Sequence, residues 1–148
     1  IATDEVSKAF TALSLSTYGG NPVSMAAAQA TIDVMERENI PRRSAERGAQ
    51  LREGLNAIKE KYDFIGDVRG MGLMQGVELV EDRNSKTPAP KKTARFMEAA
   101  KRQGLLVGKG GLYGNVLRIA PPMLIGQGEI ADGLARIDKA FGELKFHD

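Results

Sequence analysis

Residues 16–22 read Ser-Thr-Tyr-Gly-Gly-Asn-Pro and separate a short amphipathic segment from a long alanine-rich one. The two adjacent glycines allow the backbone to turn sharply or to approach a ligand closely. Asn21 is a favoured N-cap residue, and Pro22 suits the first helical position because its missing N–H would be unbonded there anyway. The stretch therefore predicts a tight turn that leads directly into a helix, with two hydroxyl side chains just before it.

The predicted helix start is a candidate anion site. Unbonded N–H groups and the helix dipole give a helix N-terminus partial positive charge, which suits a phosphate. Thr17 and Ser16 are the candidate hydroxyl donors, because a hydroxyl can donate a hydrogen bond to a phosphate oxygen. The alternative is structural: the Thr17 hydroxyl could instead satisfy a backbone group of the turn.

Composition describes one ordinary globular domain and excludes several functional classes. A chain of 148 residues is long enough to bury about 70% of the surface of the unfolded chain, and 42% hydrophobic residues is ordinary for a globular protein. A net charge of +2, with acids and bases interspersed, predicts neither a nucleic-acid nor a membrane partner. The chain has no cysteine and one histidine, His147, near its end, so we expect no metal site and no Ser-His-Asp triad. With no apolar run of membrane-spanning length and no signal peptide, we expect a cytoplasmic protein.

Hydrophobic periodicity predicts helices before and around a small sheet. Leu51, Leu55, Ile58 and Tyr62 recur at helical spacing and predict one buried stripe. The same patterns predict helices over residues 4–12, 22–38, 44–62, 91–103 and 129–144, strands over 64–69, 73–80, 105–107 and 116–120, and loops over 81–90 and 108–114. This order predicts an α+β fold, in which a long connecting helix precedes a small, largely antiparallel sheet of three or four strands with helices on one face.

Arg118 is the second candidate site residue. It stands between Leu117 and Ile119 in a short apolar strand, where an unpaired guanidinium would be costly. The planar fork can hold a carboxylate with two parallel hydrogen bonds, so a bound carboxylate is one possible partner. A structural ion pair with an acidic side chain is the alternative. For Arg69, at the end of another predicted strand, we favour the structural interpretation.

Residues 108–111, Gly-Lys-Gly-Gly, invite comparison with a phosphate-binding loop. The pattern fails, because no serine or threonine follows Lys109 and no second glycine stands at the required spacing before it. We therefore expect a mobile loop at the rim of a cleft.

Three stretches resemble motifs of the class III pyridoxal-phosphate aminotransferases, which have fold type I. Residues 17–22 resemble the T-(Y/F)-G-G-N-P segment of that family, and residues 66–74 (GDVRGMGLM) resemble its V-R-G-x-G-L stretch. Residues 117–122 (LRIAPP) resemble a later stretch, and residues 104–122 look closest to the alanine–glyoxylate and 4-aminobutyrate branches. The three motifs occur in the family's order and span most of the chain.

The resemblance implies a domain organisation. Residues 1–20 would be a remnant of the large cofactor domain, residues 21–40 the interdomain helix, and residues 41–148 the C-terminal small domain. Because the sequence starts with Ile1 in the middle of a pattern, we expect it to be the C-terminal portion of a longer enzyme.

The resemblance also implies an activity, transfer of an amino group from an amino acid or amine to a 2-oxo acid with pyridoxal 5'-phosphate as cofactor. Thr17, with Ser16 as a weaker candidate, would contact the cofactor phosphate of the other subunit of a homodimer with a shared active site. Arg118 would bind the substrate carboxylate. The family's catalytic lysine and its cofactor-binding acid lie upstream of the T-x-G-G-N-P segment, so no catalytic residue is assigned and the isolated chain is expected to be inactive.

Two alternatives stay open at this point. The family also contains a decarboxylase and an aminomutase, and its C-terminal part does not separate these reactions. The chain could also be a free-standing, non-enzymatic α+β module that binds another protein or a small anion.

Overall fold

The computed structural model describes residues 2–145, which form helices and strands in the mixed order typical of an α+β fold. His147 and Ile1, discussed above, lie outside the described residues. The helices are α1 (Asp4–Ala9), α2 (Pro22–Arg37), α3 (Ile40–Lys59), α4 (Pro90–Arg102) and α5 (Gln127–Lys145), and the strands are β1 (Ile65–Met71), β2 (Met74–Leu79), β3 (Gly108–Gly110) and β4 (Val116–Ile119). Within the described residues, no helix is long and apolar enough to cross a membrane.

The chain divides into two compact units. The first ends at Glu38 and contains α1 and α2, neither of which has a buried residue. The second begins at Asn39 and contains the sheet and the other three helices. Asn39 itself adopts a left-handed conformation, with φ 49° and ψ 47°, and so interrupts the helical path between α2 and α3. The helical path is thus interrupted at residues 38 and 39, between the two predicted helices, and Ile40 and Pro41 already belong to α3.

The sheet of the second unit has four strands in the order β1-β2-β4-β3, and every neighbouring pair is antiparallel. Val77 of β2 lies opposite Val68 of β1 on one side and Leu117 of β4 on the other. Gly108 of β3 lies opposite Arg118 of β4. The predicted small antiparallel sheet is confirmed.

Helices α3, α4 and α5 cover one face of this sheet, as predicted. Side chains alternate along each strand, so that Val77, Leu79 and Leu117 are buried against the helices. Phe96 of α4 stacks on Phe141 of α5, with ring centroids 4.1 Å apart. The predicted stripe is buried too, with exposed fractions of 4% for Leu51, 1% for Leu55, 5% for Ile58 and 7% for Tyr62.

The third strand was placed wrongly from the sequence. Residues 105–107 are not a strand, and the predicted mobile loop begins instead with β3, Gly108–Gly110. Leu105 and Val107 pack against the core from an irregular segment. Glycine has low strand propensity. β3 forms nevertheless, because it pairs with β4 and because glycine at position 108 leaves space for the side chain of Arg118.

Helix boundaries differ from the prediction by three or four residues at three places, one of which is the end of α3, at Lys59 rather than at residue 62. α1 ends at Ala9 rather than near residue 12, and α3 begins at Ile40, four residues earlier than expected. Pro41 did not delay α3, since proline is tolerated in the first turn of a helix. Gly104 follows α4 with φ +74°, the left-handed conformation in which glycine commonly ends a helix and which its position after the predicted helix over 91–103 indicates.

Candidate functional site

The turn at residues 16–20, which carries the candidate hydroxyl groups, leads directly into α2. Asn21 is the N-cap, as predicted: its Oδ1 accepts a hydrogen bond from the backbone N–H of Ser24 at 2.9 Å. Its Nδ2 donates to the carbonyl of Tyr18 at 2.7 Å, which ties the turn to the helix. No acidic residue occupies the first turn of α2, so nothing there repels an anion.

The two candidate hydroxyls have different roles in this turn. Ser16 Oγ accepts a hydrogen bond from the backbone N–H of Gly19 at 3.1 Å, so the structural role that we weighed for Thr17 belongs to Ser16. The Ser16 hydroxyl proton is still available for donation. Thr17 is exposed, and its hydroxyl has no hydrogen-bond partner among residues 2–145. Thr17 is therefore the freer donor of the two, and both fit a phosphate.

The second group of candidate residues lies on the face of the sheet that α3, α4 and α5 leave uncovered, which we call the open face. One row across it runs from Arg69 through Gly76 and Arg118 to Gly108, since these residues pair in register. The open face consists of Asp67, Arg69, Met71, Met74, Gly76, Glu78, Gly108, Gly110, Val116 and Arg118.

Arg118 is exposed on this face, which corrects the expectation that its guanidinium is buried among apolar neighbours. Leu117 and Ile119 point into the core, whereas the pleat turns Arg118 the other way. Its side chain crosses β3, where a Cβ on residue 108 would lie 3.1 Å from Nε and 3.3 Å from Nη2. Within the described part of the chain, Arg118 makes no ion pair or hydrogen bond. The structural ion pair that we weighed for it is absent there.

Arg69, in the same row, is paired with two acids. Its Nη1 donates to Asp67 Oδ2 at 3.0 Å and to Glu78 Oε2. The hydrogen bond with Glu78, and then that with Asp67, raise the pKa of the Arg69 guanidinium above its usual range. The structural interpretation favoured for Arg69 is confirmed.

Sequence reasoning missed the partners of Arg69. Glu78 holds Arg69 through Oε2 and accepts from Asn115 Nδ2 through Oε1 at 3.3 Å. The alternation Gln-Gly-Val-Glu-Leu in β2 already placed Glu78 on the polar face of that strand. The strand register, which the sequence does not display, was needed to bring Glu78 opposite Asp67 and beside Arg69.

The described residues include no cluster of three or more histidine, cysteine, aspartate or glutamate side chains that could hold a metal ion. The candidate ligand-binding groups are instead two hydroxyls at a helix start in the first unit and the guanidinium of Arg118 in the second. Hydroxyls and a guanidinium recognise phosphate and carboxylate oxygens. This chemistry fits a phosphorylated cofactor and a carboxylate substrate.

Comparison with known proteins gives the family. The family model described as "Aminotransferase class-III" matches residues 1–141. The chain is 48% identical over 124 residues to an alanine–glyoxylate aminotransferase 2 homolog 2 of Arabidopsis thaliana, a match covering 83% of this chain and 26% of that protein. It is 42% identical over 129 residues to 4-aminobutyrate aminotransferase GabT of Escherichia coli (strain K12), covering 87% and 30%.

A solved structure agrees with the sequence matches. An amine transaminase from an uncultivated Pseudomonas species, in a form with bound pyridoxal 5'-phosphate, superposes with a TM-score of 0.80 at 33% identity, covering 90% of this chain and 30% of that one. The chain belongs to the class III aminotransferases, a family that depends on pyridoxal 5'-phosphate. It spans between a quarter and a third of the length of these relatives.

Proposed function

We propose that this chain is part of a transaminase that moves an amino group from an amino acid or amine to a 2-oxo acid, and that Arg118 binds the substrate carboxylate. The observation that carries the proposal is the exposed, unpartnered guanidinium of Arg118 on the open face. Glycines stand directly opposite it in both neighbouring strands, so no side chain beside it in its row obstructs a carboxylate. A planar fork in this setting can bind both carboxylate oxygens and fix the substrate's orientation.

Thr17 and Ser16 are proposed to hold the phosphate of pyridoxal 5'-phosphate, in the site of the partner subunit of a homodimer. When bound, this cofactor acts as an electron sink that stabilises negative charge on the substrate carbon. The free Thr17 hydroxyl, the spare proton of Ser16 and the acid-free start of α2 support this role. These groups anchor and orient; none of them is proposed to move a proton during the reaction.

The exposed surface of the first unit supports the homodimer. Apolar side chains exposed on a monomer are commonly covered in an assembly. Within the first unit the exposed large apolar residues are Val6, Phe10, Leu13, Leu15, Tyr18, Val23, Met25, Ile32 and Val34. Further protein that packs on this surface, from the same enzyme or its partner subunit, would remove it from water.

The catalytic lysine is proposed to come from protein outside this segment. No lysine of the chain occupies a sequence context like that of the family's cofactor-binding lysine. We therefore propose that the 148 residues alone catalyse nothing and supply phosphate and carboxylate contacts only. The similarity to relatives of the alanine–glyoxylate and 4-aminobutyrate branches supports an enzymatic parent over a free-standing binding module.

The test is the substitution Arg118→Gln in the enzyme that contains this segment. Removing the charged partner of a bound carboxylate costs about 2 kcal/mol or more, so we expect the KM for pyruvate as amino acceptor to rise at least about 30-fold. Arg102→Gln is the matched control, because Arg102 is exposed on α4 and paired with Glu143. An unchanged KM in Arg118→Gln would refute the carboxylate role.

A further inference from the structure

Glu78 is close enough to Arg118 to pair with it. Gly76 lies opposite Arg118 across the β2–β4 ladder, and Glu78, two residues along β2, lies opposite Val116. Glu78 and Arg118 are therefore diagonal neighbours on one face, whose Cα atoms are about 7–8 Å apart, within reach of long side chains. An acid in this position could neutralise the guanidinium that the proposed function needs free.

The structure shows Glu78 held in other contacts. Its Oε2 accepts from Arg69 Nη1, and its Oε1 accepts from Asn115 Nδ2 at 3.3 Å. Asn115 is 2% exposed, and its Nδ2 also donates to the carbonyl of Leu79 at 2.9 Å, which fixes the amide. Asp67 binds Arg69 from the other side at 3.0 Å. Each carboxylate oxygen of Glu78 thus accepts a hydrogen bond from a residue other than Arg118, and within residues 2–145 Arg118 has no acid partner.

We propose that Arg69 and Asn115 are positioning residues: they hold Glu78 away from Arg118 and so keep the Arg118 guanidinium available to a carboxylate ligand. The first half of this inference concerns the side chains of the open face alone. The second half, availability to a ligand, rests on the proposed function of Arg118.

Charge and space on the open face explain why Arg69 is needed. Its four ionised side chains, Asp67, Glu78, Arg69 and Arg118, balance to zero. Without Arg69, two acids would lie opposite each other in register. Arg83 and Lys86 line the same pocket as these acids, but Arg83 donates to the carbonyls of Ile65 and Lys59. Gly76, between Arg69 and Arg118, has no side chain to keep Glu78 from turning toward Arg118. Removing Arg69 would therefore both free Glu78 and draw it to Arg118.

The experiment measures the reactivity of Arg118 toward phenylglyoxal by mass spectrometry of peptides from the full protein. A cross-strand ion pair stabilises by up to about 1 kcal/mol, so we expect Arg69→Gln to slow modification of Arg118 about two- to fivefold. Arg69→Gln/Glu78→Gln should restore the wild-type rate. Arg102→Gln, which breaks an ion pair between α4 and α5, should leave the rate at Arg118 unchanged.

Other outcomes would overturn the inference. An unchanged rate in Arg69→Gln would do so, as would a slowing that Glu78→Gln does not reverse. If Arg69 only stabilised the fold, its loss would accelerate modification at every arginine, whereas the proposal predicts slower modification of Arg118. The single variant Glu78→Gln gives a second measurement: Arg118 should react as in the wild type, and a faster reaction would mean that Glu78 already engages it.

A second arm repeats the modification with pyruvate present. Protection of Arg118 by pyruvate tests the proposed carboxylate site, whereas the effect of Arg69→Gln without pyruvate tests the positioning. If Arg69→Gln slows modification but pyruvate protects nothing, the positioning stands and the carboxylate role of Arg118 fails. If pyruvate protects and Arg69→Gln changes nothing, the carboxylate role stands and the positioning fails.

Discussion

The two faces of the sheet differ in what their residues do, although they belong to the same strands. On the face covered by α3, α4 and α5, Leu117 is 0% exposed and Ile119 8%, and both belong to the hydrophobic core. On the open face, the residue between them is the exposed Arg118, flanked across the strands by Gly76 and Gly108. The comparison teaches that alternation along one short strand separates residues that stabilise the fold from residues available to a ligand.

The largest effect on stability is expected from a substitution on the covered face of the sheet. The ring of Phe141 packs on those of Phe96, Tyr62 and Phe64, with centroids 4.1, 5.6 and 5.9 Å away. Phe141→Ala removes these contacts and leaves a cavity, so we expect a loss of about 3–5 kcal/mol in the free energy of unfolding, measured in urea. Met74→Ala on the open face, where Met74 is 66% exposed, is the control and should change stability by about 0.5 kcal/mol or less. Equal losses in the two variants would remove the distinction between the faces.

Alkaline pH is expected to lower the free energy of unfolding by an intermediate amount, because the covered face holds the buried phenol of Tyr62. Tyr62 is 7% exposed, and its hydroxyl donates to the carbonyl and to Oδ1 of Asp138, both at 3.0 Å. Burial, then the hydrogen bond with Asp138 and its charge, raise the pKa of Tyr62 to about 12. The folded state thus holds the phenol proton more tightly than the unfolded chain, in which the pKa of tyrosine is about 10.

The sign of the pH dependence follows from this shift. The contribution of Tyr62 to stability is fully present below about pH 10 and is lost as pH rises toward 12. Tyr62→Phe should flatten that part of the stability profile, and the difference in tyrosinate absorbance between wild type and variant should have a midpoint near 12. A midpoint near the ordinary value for tyrosine would show that the phenol is not protected. Arg69 on the open face, whose pKa is raised, should stay charged throughout.

Much of the fold could be predicted because its signals are local. The stripe through Leu51 and Leu55, the Asn21 cap and the Gly104 terminator depend only on neighbours along the chain, and the structure has all of them. β3 could not be predicted in this way. Its glycines have no strand propensity of their own, and the strand exists through its ladder with β4.

The site residues can be separated in the same way, into those that local sequence patterns indicate and those that only strand pairing brings together. Thr17 and Arg118 stand in motifs that can be read directly, but the face on which Arg118 lies had to come from the strand alternation. The contacts of Arg69 with Glu78, and of Glu78 with Asn115, depend on the register between β1, β2 and β4. Residues 78 and 115 are 37 positions apart, so no local pattern brings them together.

The smallest effect is expected from substituting the two glycines of β3, Gly108 and Gly110, of which only Gly108 lies close to Arg118. A Cβ on residue 108 would lie 3.1 Å from Nε of Arg118, whereas a Cβ on Gly110 would have no atom within 4 Å. Gly108→Ala and Gly110→Ala should change stability alike, by less than about 1 kcal/mol, because neither glycine has a positive φ. Only Gly108→Ala should displace the guanidinium, by a few tenths of an ångström.

The two variants should therefore differ in ligand binding although they do not differ in stability. A misplacement of 1 Å at a binding group can cost about 100-fold, so this smaller shift should raise the KM for pyruvate about three- to tenfold in Gly108→Ala and leave it unchanged in Gly110→Ala. Equal KM values would mean that Arg118 can give way without loss. Gly108 would then serve only the strand ladder, and the space beside Arg118 would have no part in substrate binding.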